Sequence, residues 1–252
     1  MWSFRSFLLA PLAMLAGTGC VPKFKETTNP VPTQWFEISE APPRDSTLLI
    51  LLPGRRSSAS DFESEGFIEA IRPEDRTDVV AVDLHLGYYR EKILDQRLRE
   101  DVIEPAIAKG YRRIELLGIS LGGLGGLIYA FEFPGDIDRL TLLAPYVGDP
   151  PIHEEIEKAG GLAAWEPGVV EESDFQRRLW KQLKDWSEGT GDSTMPDLRI
   201  AVGTEDRHRE SNEFFANELL RGEILQRPGG HDWDNWRILY GELFSFNPPQ
   251  SP

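Results

Sequence analysis

Gly118-Ile119-Ser120-Leu121-Gly122-Gly123 lies between two short apolar runs, so a serine sits on a glycine-flanked turn from a strand into a helix. Such a turn strains the serine backbone, and only glycine neighbours leave room for the chain to pack that closely. It aims the hydroxyl outward, while the first N–H groups of the following helix face any anion formed beside it. A serine held this way suits nucleophilic attack on a carbonyl. The apolar run 198–202 ends in Gly203-Thr204-Glu205-Asp206, which puts a carboxylate on a loop beyond a strand end. Asp206 is the expected acid; Glu205 is a chemically adequate alternative, and a surface turn or helix cap is the plainer role for either. After a strand-like stretch at 223–225 comes Pro228-Gly229-Gly230-His231-Asp232-Trp233, a flexible loop with one histidine. His231 is the expected base. His85 and His153 precede the acid, and His208 follows it too soon for a strand to intervene, so His208 is expected at the rim.

The order Ser120, Asp206, His231 is the serine, acid, histidine order of one large hydrolase fold and of neither large serine-protease fold. On these motifs, residues 46–246 resemble the α/β-hydrolases of the esterase and thioesterase kind. The resemblance implies a mostly parallel sheet flanked by helices, with a small helical lid insertion. It implies cleavage of a small-molecule or lipid ester or thioester through an acyl-enzyme on Ser120. It also implies an oxyanion hole built from the N–H of Leu121 and from a loop after an early strand, here Leu51-Leu52-Pro53-Gly54-Arg55-Arg56-Ser57-Ser58. By position Arg55 gives the second N–H. Pro53 stands where the family commonly has histidine, which keeps a backbone donor but leaves open which one. An acyltransferase on the same triad and a non-catalytic binding lipoprotein are the alternatives.

Other chemistries lack their residues. The glycines of 118–126 do not form Gly-x-Gly-x-x-Gly at the turn, and no Gly-Lys-Ser or Gly-Lys-Thr is present to cradle phosphate. Four scattered histidines and one cysteine give no zinc-binding spacing, so neither cofactor nor metal is expected. The 27 basic residues against 42 acidic ones leave a net charge of −15, which would repel nucleic acid. Arg55 and Arg56, on the oxyanion loop, are the local exception: they could hold an anionic group of a substrate.

The elements that must position these groups read as buried parallel strands at Thr47–Leu52, 79–84, 114–117, 140–143 and 198–202. Helices are expected at 60–71 and 90–108, with Pro105 kinking the last turn of the second. Residues 149–196, rich in charge and carrying Trp165, Trp180 and Trp186, read as the lid, with the tryptophans packing it down rather than lining a pocket. Trp233 and Trp236 either shield the His231 ring or anchor the last helix. At the other end, Arg5 followed by the apolar run 7–16 reads as a signal peptide over residues 1–19, too short to span a membrane. Cys20 after Gly17-Thr18-Gly19 resembles a bacterial lipobox without its usual aliphatic residue, so lipidation at Cys20 is expected, with an ordinary cleaved signal as the alternative. That implies export to a bacterial cell envelope and a membrane anchor facing the periplasm or the exterior. Residues 20–45, with five prolines after Cys20, read as a tether, and 34–38 as an edge strand within it.

Overall fold

The structure, a computed structural model, describes residues 25–37, 43–71, 76–189 and 195–245. The expected signal peptide and Cys20 lie outside the described residues. Strands β1 (Thr33–Phe36), β2 (Thr47–Leu52), β3 (Thr77–Val82), β4 (Arg113–Ile119), β5 (Arg139–Leu143), β6 (Asp197–Gly203) and β7 (Leu225–Arg227) form one sheet in the order β1-β3-β2-β4-β5-β6-β7. Neighbours run parallel except β1, which pairs antiparallel with β3. The near-continuous apolar strands follow from burial on both faces. Leu48, Ile50 and Leu52 of β2 enter one core and Leu49 and Leu51 the other, because the two-residue period of a strand divides even an unbroken apolar run.

Helices α1 (Asp61–Ser64), α2 (Leu86–Glu91), α3 (Leu94–Leu98), α4 (Glu104–Lys109), α5 (Leu121–Glu132), α6 (Pro150–Lys158), α7 (Phe175–Ser187), α8 (Arg209–Leu219) and α9 (Trp233–Ser245) cover the two faces. Phe62 of α1 and Trp236, Leu239 and Leu243 of α9 pack on one; α2 to α8 supply the other. Among the described residues no helix is long and apolar enough to cross a membrane.

Local structure departs from the sequence reading where backbone chemistry intervenes. The helix expected at 60–71 is a single turn, α1, and a 3-10 turn at Ile68–Ala70, separated by Gly66 at φ 71°. The helix expected at 90–108 is broken: α2 closes on Lys92 at φ 57°, and a π turn at Arg99–Ile103 joins α3 to α4. Pro105 has no N–H for the carbonyl one turn back, and the helix widens just ahead of it instead of bending in its last turn. The last strand lies at Leu225–Arg227, after a turn made by Arg221 and Gly222, both at positive φ.

Residues 25–32, which the prolines mark as tether, lie along the body, and the edge strand expected at 34–38 is β1. Val31 N–H donates to Asp101 Oδ2 at 2.8 Å, Thr28 N–H to the Tyr88 hydroxyl at 3.0 Å, and β1 closes the sheet edge. Residues 149–196 carry α6 and α7. Trp165, Trp180 and Trp186 are buried, and Trp180 Nε1–H donates to the Val147 carbonyl at 2.8 Å. Arg177 grips both oxygens of Glu155 at 2.6 and 2.7 Å, and with Trp165 holds that carboxyl down to about 2. Trp180 therefore anchors α7. Trp180→Ala is expected to lower the unfolding free energy by about 3–5 kcal/mol in urea denaturation; a loss below about 1 kcal/mol would show that the ring does not hold this helix.

Candidate active site

Ser120 forms the junction of β4 and α5 at φ 53° and ψ −111°, a conformation costly to any residue with a side chain. Three hydrogen bonds hold it there: Ser120 N–H to Leu143 O, and Tyr146 and Gly123 N–H to Ser120 O, each 3.0 Å. The flanking glycines are required by contact rather than by flexibility. A Cβ on Gly118 would lie 2.3 Å from Gly122 O, and one on Gly122 would lie 2.1 Å from Leu52 O. The turn is thus wedged against the end of β2, and the Ser120 side chain stands above the sheet beside Gly54.

Asp206 sits beyond β6 with its side chain buried. Its Oδ1 accepts the His208 N–H at 2.8 Å, and its Oδ2 lies 2.8 Å from His231 Nδ1. The other imidazole nitrogen, His231 Nε2, is 3.1 Å from Ser120 Oγ. Glu205, the alternative acid, is exposed, and its N–H donates to Gly229 O at 3.0 Å. The two loops are laced together. Thr204 N–H donates to Arg227 O at 2.8 Å, a Cβ on Gly203 would lie 2.1 Å from Gly229 O, and buried Asn235 donates from Nδ2 to Gly230 O at 2.8 Å. The Trp236 ring stands edge-on to the His231 ring at 5.0 Å, and Trp233 edge-on to Trp236 at 5.3 Å. Trp236 therefore borders the imidazole, and Trp233 packs behind it against Phe62 and Phe67, seating the start of α9.

Ser120, His231, Leu121 and Arg55 open onto one cleft of about 1590 Å³. The N–H groups of Leu121, at the start of α5, and of Arg55, on the loop after β2, meet no acceptor among the described residues. Trp165, Trp180 and Trp186 do not line this cleft. Sequence reasoning missed two residues here. Asn235 carries no motif signal. Tyr89 donates its hydroxyl to Leu121 O at 2.8 Å and pins the first turn of α5, which its place in a helix pattern could not foretell. His208 is more than a rim residue: its ring stands edge-on to His231 at 5.1 Å, and its Nε2 accepts from Arg207 Nε at 3.2 Å, so the neutral ring carries its proton on Nδ1.

Solved structures place this architecture among known ones. An S-formylglutathione hydrolase from Staphylococcus aureus superposes with a TM-score of 0.58 at 16% identity, covering 82% of each chain. The fold is that of the α/β-hydrolases. Est1E from Butyrivibrio proteoclasticus gives 0.55 at 16% identity over 84% of this chain and 91% of its own. The thioesterase domain from the curacin biosynthetic pathway gives 0.52 at 12%, over 85% and 94%. No protein-family model and no curated sequence matches the chain.

Burial, then the neighbouring His231 and Arg207, push His208 down to about 4. An unfolded histidine titrates near 6.5, so between about 6.5 and about 4 the unfolded chain binds a proton that the α/β-hydrolase core excludes. Stability contributed by neutral His208 is present above that window and falls as pH falls through it. In urea unfolding between pH 7 and 4.5, His208→Gln is expected to show a shallower loss of stability than wild type. Equal slopes would mean that His208 is not held neutral.

Proposed function

We propose that the chain is a serine hydrolase that cleaves carboxylic esters or thioesters through an acyl-enzyme on Ser120. The observation that carries this reading is the continuous relay from Ser120 Oγ through both His231 nitrogens to Asp206 Oδ2, opening onto a cleft. The fold it shares with esterases and a thioesterase is consistent with that chemistry and does not choose the substrate.

His231 Nε2 takes the Ser120 proton as Oγ attacks the carbonyl carbon. Asp206 keeps the Nδ1 proton in place and stabilises the imidazolium. The N–H groups of Leu121 and Arg55 receive the oxyanion, with the positive end of α5 behind the first of them. Collapse of the tetrahedral species expels the alkoxide or thiolate, which takes the proton from His231. Water then enters, gives a proton to His231 and attacks the acyl carbon; collapse releases the acid and returns the proton to Ser120. Because Ser120 is already fixed in its strained turn, little reorganisation accompanies attack. Cys20, outside the described residues, is the proposed lipid anchor that would hold this hydrolase in a bacterial envelope.

A fluorophosphonate probe is expected to label the wild-type chain from Val21 onward, and neither Ser120→Ala nor His231→Ala. With 4-nitrophenyl acetate, Asp206→Asn should lose on the order of 10⁴ in kcat, and Ser120→Ala at least as much. Labelling that persists in Ser120→Ala, or a folded wild type that takes no label, would sink the proposal.

A further inference from the structure

One arm of the cleft holds an arginine donor without a hydrogen-bond partner among the described residues. Two ring contacts set its geometry: Tyr146 against Phe175 at 6.3 Å, and Phe131 against Trp186 at 4.4 Å. Tyr146 is bonded to Ser120 and Phe131 is near the far end of α5, so α7 runs alongside α5 in the same direction, starting at the nucleophile. Leu121, Leu124 and Ile128 of α5 face this arm at helical spacing, and Phe175, Arg178, Leu179 and Gln182 of α7 do the same. The walls beside Ser120 are apolar, with Arg178 among them. Three residues past Phe175, it lies about 4.5 Å further along the arm.

Arg178 is an unusual occupant. It is half-buried, and its Nε is shut from solvent without any hydrogen-bond partner. The nearby Glu172 is hydrogen-bonded to Lys92, which, with a smaller contribution from the charge of Arg178, holds that carboxyl below its ordinary range; it makes no hydrogen bond to Arg178. With 42 acidic residues against 27 basic ones, the chain pairs its cations readily: Arg97, Arg139 and Arg177 each contact two carboxylates. Among the described residues, Arg55, Arg56, Arg178 and Arg207 of the cleft meet no carboxylate within 4.0 Å; Arg76, Arg112 and Arg221 elsewhere are the others. A guanidinium donor closed off from water costs stability unless a ligand supplies its acceptor, and a planar carboxylate matches it in two-point geometry.

Building on the hydrolase reading, we infer that the acyl group of the substrate carries a second carboxylate, received by Arg178 across a short apolar spacer. The reacting carbonyl sits at Ser120, the spacer lies against Leu121, Leu124 and Phe175, and the distal carboxylate meets the guanidinium one turn along α7. The substrate is thus a half-ester or half-thioester of a dicarboxylic acid. Its reaction is the acyl transfer already described, with the distal carboxylate unchanged.

The test compares kcat/KM for mono-4-nitrophenyl glutarate and adipate with that for 4-nitrophenyl butyrate and hexanoate. Each preparation is also titrated with a fluorophosphonate. Wild type should prefer the anionic esters, and Arg178→Gln should lose about tenfold or more of that preference. Arg178→Lys should retain part of it, Arg178→Glu should reverse it, and Arg112→Gln, an equal charge change away from the cleft, should keep it. An anionic preference that is absent, or that survives in a fully titratable Arg178→Gln, overturns the inference and leaves the hydrolase reading standing. Wild type that takes no fluorophosphonate overturns both.

Discussion

The structure depends on the approach of two backbones. The first turn of α5 lies so near the end of β2 that Gly122 has no space for a methyl group before the Leu52 carbonyl. That contact, with the Gly118 to Gly122 approach, forces Ser120 to φ 53°. The energy of such strain, of order 1–3 kcal/mol, has to be supplied by surrounding structure. Here it comes from the carbonyl of Leu143 and the N–H groups of Tyr146 and Gly123, and from strands β2, β4 and β5, buried beyond their first residues, on which the turn rests. A rigid sheet and a strained side chain are therefore one arrangement.

The same device recurs where the acid and the histidine meet. Gly203 ends β6 against the Gly229 carbonyl, and Asn235 reaches back from α9 to the Gly230 carbonyl. Loops that would be mobile if solvated are bound at several points, so the Asp206 to His231 hydrogen bond is set by main chain rather than by the two side chains alone. Orientation of the imidazole depends on that scaffold, because one nitrogen must face Asp206 while the other faces Ser120.

Charge is distributed with similar economy. Acidic residues dominate the chain and also line the cleft, yet Arg55, Arg56, Arg178 and Arg207 there have no carboxylate within 4.0 Å among the described residues. In a chain of net negative charge, an arginine without a carboxylate partner on the cleft wall gives an anionic group a local counter-charge. The segment between β5 and β6 contributes to this through α7, which turns Trp180 and Leu183 inward to the core and Phe175 and Arg178 toward the cleft. One amphipathic helix both packs this segment onto the core and lines the cleft.

Much was legible in the residues. The apolar runs that became β2, β4, β5 and β6 could be read because strands buried on both faces leave few polar positions, and the glycines around Ser120 could be read because close packing admits nothing else. The chain order of serine, carboxylate and histidine follows from the sequence as well. The helices at 60–71 and 90–108 were misjudged because apolar spacing does not register a left-handed Gly66 or Lys92, or a π turn ahead of Pro105. The alternation at 34–38 marks the edge strand that β1 supplies, but the docking of residues 25–32 is not legible, because their bonds to Asp101 and Tyr88 are to distant parts of the chain. Composition cannot tell Asp206 from its neighbour Glu205: burial and a 2.8 Å hydrogen bond do so. Nor can it tell Arg178 from Arg177, since only the rotation of α7 sends one to Glu155 and the other to the cleft. The sequence alone determined which chemical groups exist and in what order, because those are written in residue types and local spacing. The tertiary structure alone decided which of them meet, because contacts between distant segments depend on how both are packed.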